Sequence, residues 1–330
     1  MPDFTDTFVR EQLLDRHRRL EAAVTWSQSE PRLMELLHEV DSALARMDQD
    51  TWGICEVCHE PVEADRLMAD PLVRYCLDHL SAAQRDALER DLETAAALQR
   101  GLLPQPEAKH SGWEVAHTYR PFGPVSGDYC DVVVEETPER SLFFFVGDVS
   151  GKGVTASMLT AQLHAIFRSL VMQQLPVPQL LGQASRIFCE SALSPYYATL
   201  VGGRAEAGGS LEIVNAGHCP PLLIRGGKLT RLEPSGTPLG MFCDGPYRAE
   251  RFDLEPGDVL FVYTDGVSEA RNPDDEEYGE ERVIESLRGC ARLTARGVVD
   301  GCVESLGRFL GNASLADDLT IMAIQRTARA

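Results

Sequence analysis

The spacing of apolar residues along the first fifty positions predicts helices. Residues 31–47 carry apolar side chains at every third or fourth position, from Leu33 to Met47, and this spacing places them on one face of a helix. Residues 5–25 have a weaker helical pattern, and the intervening WSQSE is typical of a connecting loop. Together these segments predict an antiparallel helical hairpin over residues 1–50.

A third helical pattern covers residues 81–103 and ends at Pro104, because proline cannot continue a helix. Its apolar positions have the spacing of a paired helical seam: Leu88, Leu92, Ala95 and Leu102. Gln99 interrupts this stripe. The pattern fits a connecting helix that forms a homodimer and passes on a regulatory change. Packing of the stripe within its own chain is the alternative.

Beyond residue 113 the pattern changes to short apolar runs that are rich in β-branched and aromatic residues. These predicted strands are WEVAHTY, LFFFVGDV, LEIVNAG, PLLIRGG, DVLFVYTDG and LTIMAIQR. Residues 154–174 and 176–192 have helical patterns instead. Strands, then helices, then strands again predict an α+β layered fold in a domain over residues 104–330.

Composition excludes several classes of protein. The formal net charge of -20 opposes direct nucleic-acid binding, since phosphate backbones repel an acidic surface. No apolar run approaches the roughly 20 residues of a membrane span, and MPDFTDTFVR lacks the pattern of a signal peptide. The nine cysteines mostly stand alone, which favours a reducing compartment over a disulfide framework. We therefore expect a cytoplasmic protein without membrane contact.

Two close pairs of metal-binding side chains lie in the cysteine-rich stretch after the hairpin. Cys55 and Cys58 form a CxxC pair, and Cys76 and His79 form a CxxH pair. Three thiolates and one imidazole complete the tetrahedral shell of a zinc ion. Because four protein ligands leave no open position for water, the spacing predicts one structural Zn²⁺.

The sequence around these pairs resembles the DksA/TraR family over residues 32–80. It shares the helix that leads into the finger, the aromatic-Gly-x-Cys entry and the Arg-Leu-x-Ala-x-Pro stretch before the second pair. His79 stands where that family usually has a fourth cysteine. The resemblance implies a zinc finger over residues 51–80.

DksA-type proteins enter the secondary channel of RNA polymerase with acidic residues at the tip of a coiled coil. One hypothesis is therefore a non-catalytic transcription regulator that binds RNA polymerase, or another partner, through the zinc module. The hairpin is short, and its loop WSQSEP has no paired aspartates. Asp3 and Asp6 are acidic but belong to the opposite end of the hairpin. A shared fold alone does not transfer the polymerase activity.

Four aspartate motifs follow in the strand-rich region: SGDYCD, VGDVSGKG, YTDGVSEA and ADDLT. Aspartates at strand ends project from a rigid scaffold, and neighbouring glycines allow a close approach to an ion or phosphate. Oxygen ligands suit Mg²⁺ or Mn²⁺. Two such ions about 4 Å apart can activate a water for attack on phosphorus. A single Asp-Gly predicts only a turn, and spacing alone leaves open whether the motifs share a site.

These motifs, with NAGHCPPLLI and PSGTPLGMF, resemble SpoIIE/RsbU-type phosphatases of the metal-dependent type-2C (PPM) superfamily over residues 97–326. The resemblance implies two packed antiparallel sheets flanked by helices. It also implies two Mn²⁺ or Mg²⁺ ions and hydrolysis of phosphoserine or phosphothreonine. The usual substrate in this family is a phosphorylated anti-sigma-factor antagonist, and the N-terminal zinc module would be regulatory or partner-binding.

The resemblance also implies a set of metal ligands by position. The carboxylate ligands, which are also the catalytic residues, would be Asp128, Asp148, Asp265 and Asp317. Asp148 would bridge both ions, and Val149 would offer its backbone carbonyl. Asp318 is the alternative to Asp317. A water that bridges the ions would be the nucleophile, so no phospho-enzyme is implied.

Three further positions have interpretations from sequence. His218, in the NAGH motif, indicates a turn with hydrogen-bonding side chains rather than a catalytic acid. Lys152, in GDVSGKG, either helps to draw phosphate in or is a solvated surface lysine. Arg120, which Pro121 follows, is interpreted as structural.

Overall fold

The computed structural model describes residues 4–26, 31–80, 82–135, 141–191, 196–288 and 294–328. It contains two compact units, residues 1–91 and 92–330, each with a hydrophobic core of its own. No helix in the described ranges is long and apolar enough to cross a membrane. The four-part division into residues 1–50, 51–80, 81–103 and 104–330 stays a prediction.

The first unit contains a helical hairpin, as the sequence predicted. Its helices are α1 (Phe4–Trp26), α2 (Pro31–Asp48), the short α3 (Ala64–Ala69) and the beginning of α4 (Ala82–Leu102). Arg10 of α1 pairs with Asp48 of α2, and His17 pairs with Asp41. Because the later residue of α1 pairs with the earlier residue of α2, the two helices are antiparallel.

The finger lies after α2 and is tied to it by a buried arginine. Arg46, which is 9% exposed, donates hydrogen bonds to the carbonyl oxygens of Val73 at 3.0 Å and Leu72 at 3.2 Å. Trp52 donates to the carbonyl oxygen of Pro71 at 3.0 Å. These bonds fix the segment that leads to the second ligand pair, which ends in a 3₁₀ turn at Leu77–His79.

The second unit is built on two antiparallel sheets. In spatial order the first sheet contains β1 (Glu107–His110), β2 (Trp113–Arg120), β11 (Leu319–Arg326), β10 (Val259–Tyr263), β7 (Leu222–Arg225) and β8 (Lys228–Arg231). The second sheet contains β3 (Asp128–Val134), β4 (Leu142–Val149), β5 (Ala198–Ala205), β6 (Ser210–Ala216) and β9 (Glu250–Asp253).

Helices cover the outer faces of both sheets. The helices against the second sheet are α5 (Gly153–Val171) and α6 (Val177–Ser191). Those on the side of the first sheet are α7 (Asp265–Ser268), α8 (Gly279–Ser286) and α9 (Ala295–Leu310). Phe143 and Phe145 of β4 face the helices, whereas Phe144 faces the other sheet, because successive side chains in a strand alternate. This confirms the predicted α+β fold.

Strand β5 was not predicted from sequence, because two glycines interrupt its apolar run. The structure explains them. A Cβ on Gly203 would lie 2.1 Å from the ring of Phe144, and a Cβ on Gly202 would lie 3.0 Å from Leu181. Here glycine makes room for large neighbours on β4 and α6 instead of marking a turn.

One pair of cysteines corrects the expectation of reduced, isolated thiols. Cys189 on α6 forms a disulfide with Cys243, 54 residues later. The expectation is wrong for this pair because the spacing of isolated cysteines carries no information on such distant contacts. The other cysteines that the structure describes form no disulfide.

Candidate functional site

The strand order of the second unit brings the predicted carboxylates to one end of the sheet sandwich. Asp128 and Asp148 face each other in register on β3 and β4. Asp265 follows β10, Asp317 precedes β11, and these two strands are neighbours in the other sheet. The charges of Asp265, Asp317 and Asp318 all act on Asp148. Two stacked sheets thus contribute to one acidic cluster.

Two glycines allow this convergence. A Cβ on Gly266 would lie 1.8 Å from the carbonyl oxygen of Asp318, so no larger residue could follow Asp265 in this geometry. A Cβ on Gly127 would lie 3.2 Å from the carbonyl oxygen of Val149 and 3.3 Å from Oδ1 of Asp148. Gly127 therefore leaves space beside two oxygens that a cation could use.

Burial and mutual repulsion disfavour ionised carboxylates in this cluster. Burial, followed by the charge of Asp265, raises the pKa of Asp148 to about 7. Burial likewise raises the pKa values of Asp128 and Asp265. Asp128 is 3% exposed. A group of acids that resists ionisation fits bound cations, whose positive charge offsets both effects.

Two hydroxyl groups orient Asp128. Its Oδ2 accepts hydrogen bonds from Oγ1 of Thr264 at 2.9 Å and from Oγ1 of Thr320 at 2.5 Å. Thr264 directly follows β10 and Thr320 lies in β11, so both belong to the opposite sheet from Asp128. Neither threonine was predicted from sequence, although each stands within an aspartate motif, YTDG or DDLT.

Asp317 and Asp318 differ in what they contact. The carboxylate of Asp318 accepts hydrogen bonds from the backbone N–H groups of Phe122 at 2.7 Å and Gly127 at 2.8 Å. Oδ2 of Asp317 lies 2.8 Å from Nζ of Lys152, on a side chain that is 38% exposed. Asp318 thus holds the loop before β3, and Asp317 is the better placed of the two for a cation.

Asp131, the second aspartate of SGDYCD, belongs to a different cluster. It is fully buried and accepts two hydrogen bonds from Arg168, at 2.9 and 2.6 Å. His164 lies 3.3 Å from the same carboxylate. This arrangement joins β3 to α5 through a bidentate pair, in which the carboxylate is buried and Arg168 is 43% exposed.

A cleft of about 200 Å³ opens beside Asp148 and Asp265. The other residues that line it are Ser150, Tyr197, Thr199, Gly217, His218 and Cys219. Asn215 closes the NAGH turn, because its side chain bonds both the backbone N–H and the carbonyl of His218. Nδ1 of His218 lies 2.9 Å from Oγ1 of Thr199. Burial lowers the pKa of His218 to about 4, so this imidazole is neutral at pH 7.

The four predicted zinc ligands of the first unit lie together. The donor atoms of Cys55, Cys58, Cys76 and His79 are all within 4.8 Å of one another. Sγ of Cys58 is 3.7 Å from Sγ of Cys76, and Nδ1 of His79 is 3.8 Å from Sγ of Cys55. Ligands about 2.3 Å from a tetrahedral zinc would have similar separations. Among the described residues, no other set of three or more His, Cys, Asp or Glu side chains has its donor atoms this close together.

Comparison with protein families decides the membership of the second unit. The model of Stage II sporulation protein E (SpoIIE) matches residues 138–327, more than half of the chain. The chain belongs to the SpoIIE family. The SpoIIE match contains Asp148, Asp265 and the Asp317–Asp318 pair and begins after Asp128. A second model, the prokaryotic dksA/traR C4-type zinc finger, matches residues 51–78 and stops just before His79.

Two curated relatives are similar to this SpoIIE-family chain. Protein IcfG of Synechocystis is 26% identical over 274 residues, which cover 73% of this chain and 42% of IcfG. Phosphoserine phosphatase RsbU of Bacillus subtilis is 24% identical over 249 residues, which cover 72% of this chain and 71% of RsbU. The chain therefore spans less than half the length of IcfG.

Solved structures confirm the fold of the SpoIIE unit. The SiaA-PP2C domain of Pseudomonas aeruginosa superposes with a TM-score of 0.64 at 22% identity, covering 74% of this chain and 98% of that one. The RsbU and RsbW domains of Rv1364c from Mycobacterium tuberculosis give 0.57 at 28% identity, covering 68% and 62%. The two-sheet architecture observed here is therefore shared with these solved domains.

Proposed function

We propose that the SpoIIE unit is a metal-dependent protein phosphatase. It would hydrolyse phosphoserine or phosphothreonine on a bacterial regulatory protein. The acidic cluster at the end of the two sheets carries this proposal, because its buried carboxylates resist ionisation without cations. The family membership and the likeness to a protein named phosphoserine phosphatase, RsbU, support it.

The proposed ligands of two Mn²⁺ or Mg²⁺ ions are those that the sequence resemblance implied: Asp128, Asp148, the carbonyl of Val149, Asp265 and Asp317. When bound, the two ions would supply an activated water and neutralise charge on the phosphate oxygens. Thr264 and Thr320 hold Asp128 in one orientation. Asp318 orders the loop around Gly127, which leaves space beside the proposed bridging residue, Asp148.

We further propose that the substrate is a phosphorylated anti-sigma-factor antagonist. RsbU and a second relative, RsbP of Bacillus subtilis at 26% identity over 186 residues, are both named phosphoserine phosphatases. The zinc module would then be the regulatory or partner-binding part of the chain, and a homodimer through residues 81–103 would be its route of control. One structural Zn²⁺ held by the finger quartet completes the proposed set of metals.

The first experiment measures phosphate release from p-nitrophenyl phosphate with Mn²⁺ or Mg²⁺. The wild type should turn over only with added metal, and Asp148→Asn and Asp265→Asn should each lose over about a hundredfold in rate, since each removes a proposed ligand. Asp274→Asn changes an exposed aspartate outside the cluster and is the matched control.

Near wild-type turnover by both cluster variants would contradict the proposed ligands. A wild type without any metal-dependent turnover would instead favour the binding-only hypothesis, in which the zinc module engages RNA polymerase or another partner. If the wild type is active, retention of a phosphoprotein by Asp148→Asn in a pull-down would identify the substrate.

A further inference from the structure

In the part of the chain that the structure describes, Lys152 contacts one of the proposed metal ligands, Asp317. Lys152 lies between the end of β4 and the beginning of α5, with glycines of positive φ on both sides, Gly151 at 97° and Gly153 at 72°. Its Nζ is 2.8 Å from Oδ2 of Asp317. The side chain is 63% exposed, so it can move between Asp317 and a ligand that enters from solvent.

The surroundings of Lys152 suit an ammonium group, because Nζ lies beside the carboxylate of Asp317. The ring of Phe122 lies 6.0 Å from Nζ, a distance at which an aromatic face attracts an ammonium group. A flexible, cationic side chain with an aromatic support therefore lies at the edge of the acidic cluster.

A phosphate monoester that enters this cluster has negatively charged oxygens, and the chain places the ammonium group of Lys152 at the edge of the cluster, beside Asp317. Lysine is a point charge with three donors on a flexible stem, which suits the binding of a phosphate oxygen from variable directions. We propose that Lys152 is the phosphate-binding residue of this site and exchanges the carboxylate of Asp317 for a non-bridging oxygen of the substrate. This inference rests on the proposed phosphatase function and adds to it a residue that grips the substrate.

Two other assignments compete with this one. Lys152 could serve only to orient Asp317, in which case its loss would weaken metal binding and phosphate binding together. Arg120 is a second cation near the cluster, since it ends β2 opposite Leu319, the residue after Asp318. An experiment must therefore compare both cations and measure metal and phosphate separately.

The test is calorimetric titration of the full-length, zinc-containing protein, first with Mn²⁺ and then with inorganic phosphate in the presence of Mn²⁺. Lys152→Ala should weaken phosphate binding by about tenfold or more, because it removes a charge-assisted hydrogen bond. Lys152→Arg should keep phosphate affinity within about threefold. Mn²⁺ affinity should change by less than about threefold in both variants.

Lys228→Ala is the matched control, because Lys228 lies on β8, paired with Arg225 of β7. It should bind phosphate like the wild type. Wild-type phosphate affinity in Lys152→Ala would overturn the inference. So would a parallel loss of Mn²⁺ affinity, or a loss of phosphate affinity in Arg120→Ala alone. Since the titration needs no turnover, its outcome is separate from the activity of Asp148→Asn, which tests the phosphatase function itself.

Discussion

At the scale of single residues, the acidic cluster opposes the stability of the fold that carries it. The pKa of Asp148 is about 7 in the folded protein, well above the ordinary aspartate value. Ionising it in the folded state therefore costs more free energy than in the unfolded chain. Its contribution to stability is fully present below the unfolded pKa and is lost as the pH rises through about 7.

We accordingly expect Asp148→Asn to be inactive yet more heat-stable than the wild type at pH 8, when zinc is retained and no Mn²⁺ or Mg²⁺ is added. The melting temperature should rise by a few degrees, because about 1 kcal/mol corresponds to about 2–4 °C in a protein of this size. The gain should shrink towards pH 5, where Asp148 is protonated in the wild type.

Scanning fluorimetry over this pH range measures the effect, with Asp274→Asn as an exposed control. Added Mn²⁺ should reverse the order, since it stabilises the wild type more than the variant. An Asp148→Asn protein that melts below the wild type at pH 8 without Mn²⁺ would show that ionised Asp148 does not destabilise the fold.

Residue types and short motifs carried most of the prediction of the site. Both metal groups were predicted from local spacing and resemblance, and the structure gathers the residues of each. The roles of Asp318, Thr264 and Arg46 were not predictable in the same way, because each depends on a partner in a different element. The Cys189–Cys243 disulfide was missed for the same reason.

At the scale of elements, α4 is joined to the acidic cluster by one polar side chain. Nε2 of Gln99 donates to the carbonyl oxygen of Ser126 at 2.7 Å, and Oε1 accepts from the backbone N–H of Ser126 at 3.0 Å. Oγ of Ser126 in turn accepts from the backbone N–H of Asp128 at 3.1 Å. The residue that interrupts the apolar stripe thus fixes the loop before β3.

Gln99→Ala should therefore lower phosphatase activity by about tenfold and raise the Mn²⁺ concentration needed for half-maximal rate. Both effects are expected because the variant loses the two hydrogen bonds to Ser126, which leaves buried backbone groups without their partner. Leu98→Ala, at the adjacent position with a side chain that is 69% exposed, should behave like the wild type.

Steady-state assays over a range of Mn²⁺ concentrations distinguish the two variants. Equal activity and equal metal requirement in Gln99→Ala and Leu98→Ala would refute the connection between α4 and the cluster. The homodimer through residues 81–103 remains a separate prediction, which the mass of the wild type from light scattering tests.

At the scale of the whole molecule, the two units have different sources of stability. The SpoIIE unit has large apolar layers on both faces of its second sheet. The finger buries only a few apolar residues, among them Val62 and Leu67, around the predicted zinc ligands. Binding energy at a structural zinc site is largely folding energy, so the finger should depend on its ion far more than the SpoIIE unit does.

We expect one zinc per chain in the wild type and none in the Cys55→Ser, Cys58→Ser double variant. The variant should lose the fold of its finger, while the main calorimetric transition of the SpoIIE unit stays within a few degrees of the wild type. Elemental analysis and calorimetry measure the two effects. His59→Ala, which changes a histidine outside the quartet, is the control and should keep its zinc. Unchanged zinc in the double variant would refute the ligand assignment.

The position of β11 has a consequence for synthesis on the ribosome. This strand lies between β2 and β10 and pairs with both, yet about 200 residues separate its first residue, Leu319, from the end of β2 at Arg120. At translation rates of about 5–20 residues per second, β2 waits roughly 10–40 s for its neighbour. During that time its edge is open to wrong partners, and Asp317 has not yet been made. A nascent chain of this protein therefore passes through a stage in which β2 has an unpaired edge and the acidic cluster is incomplete.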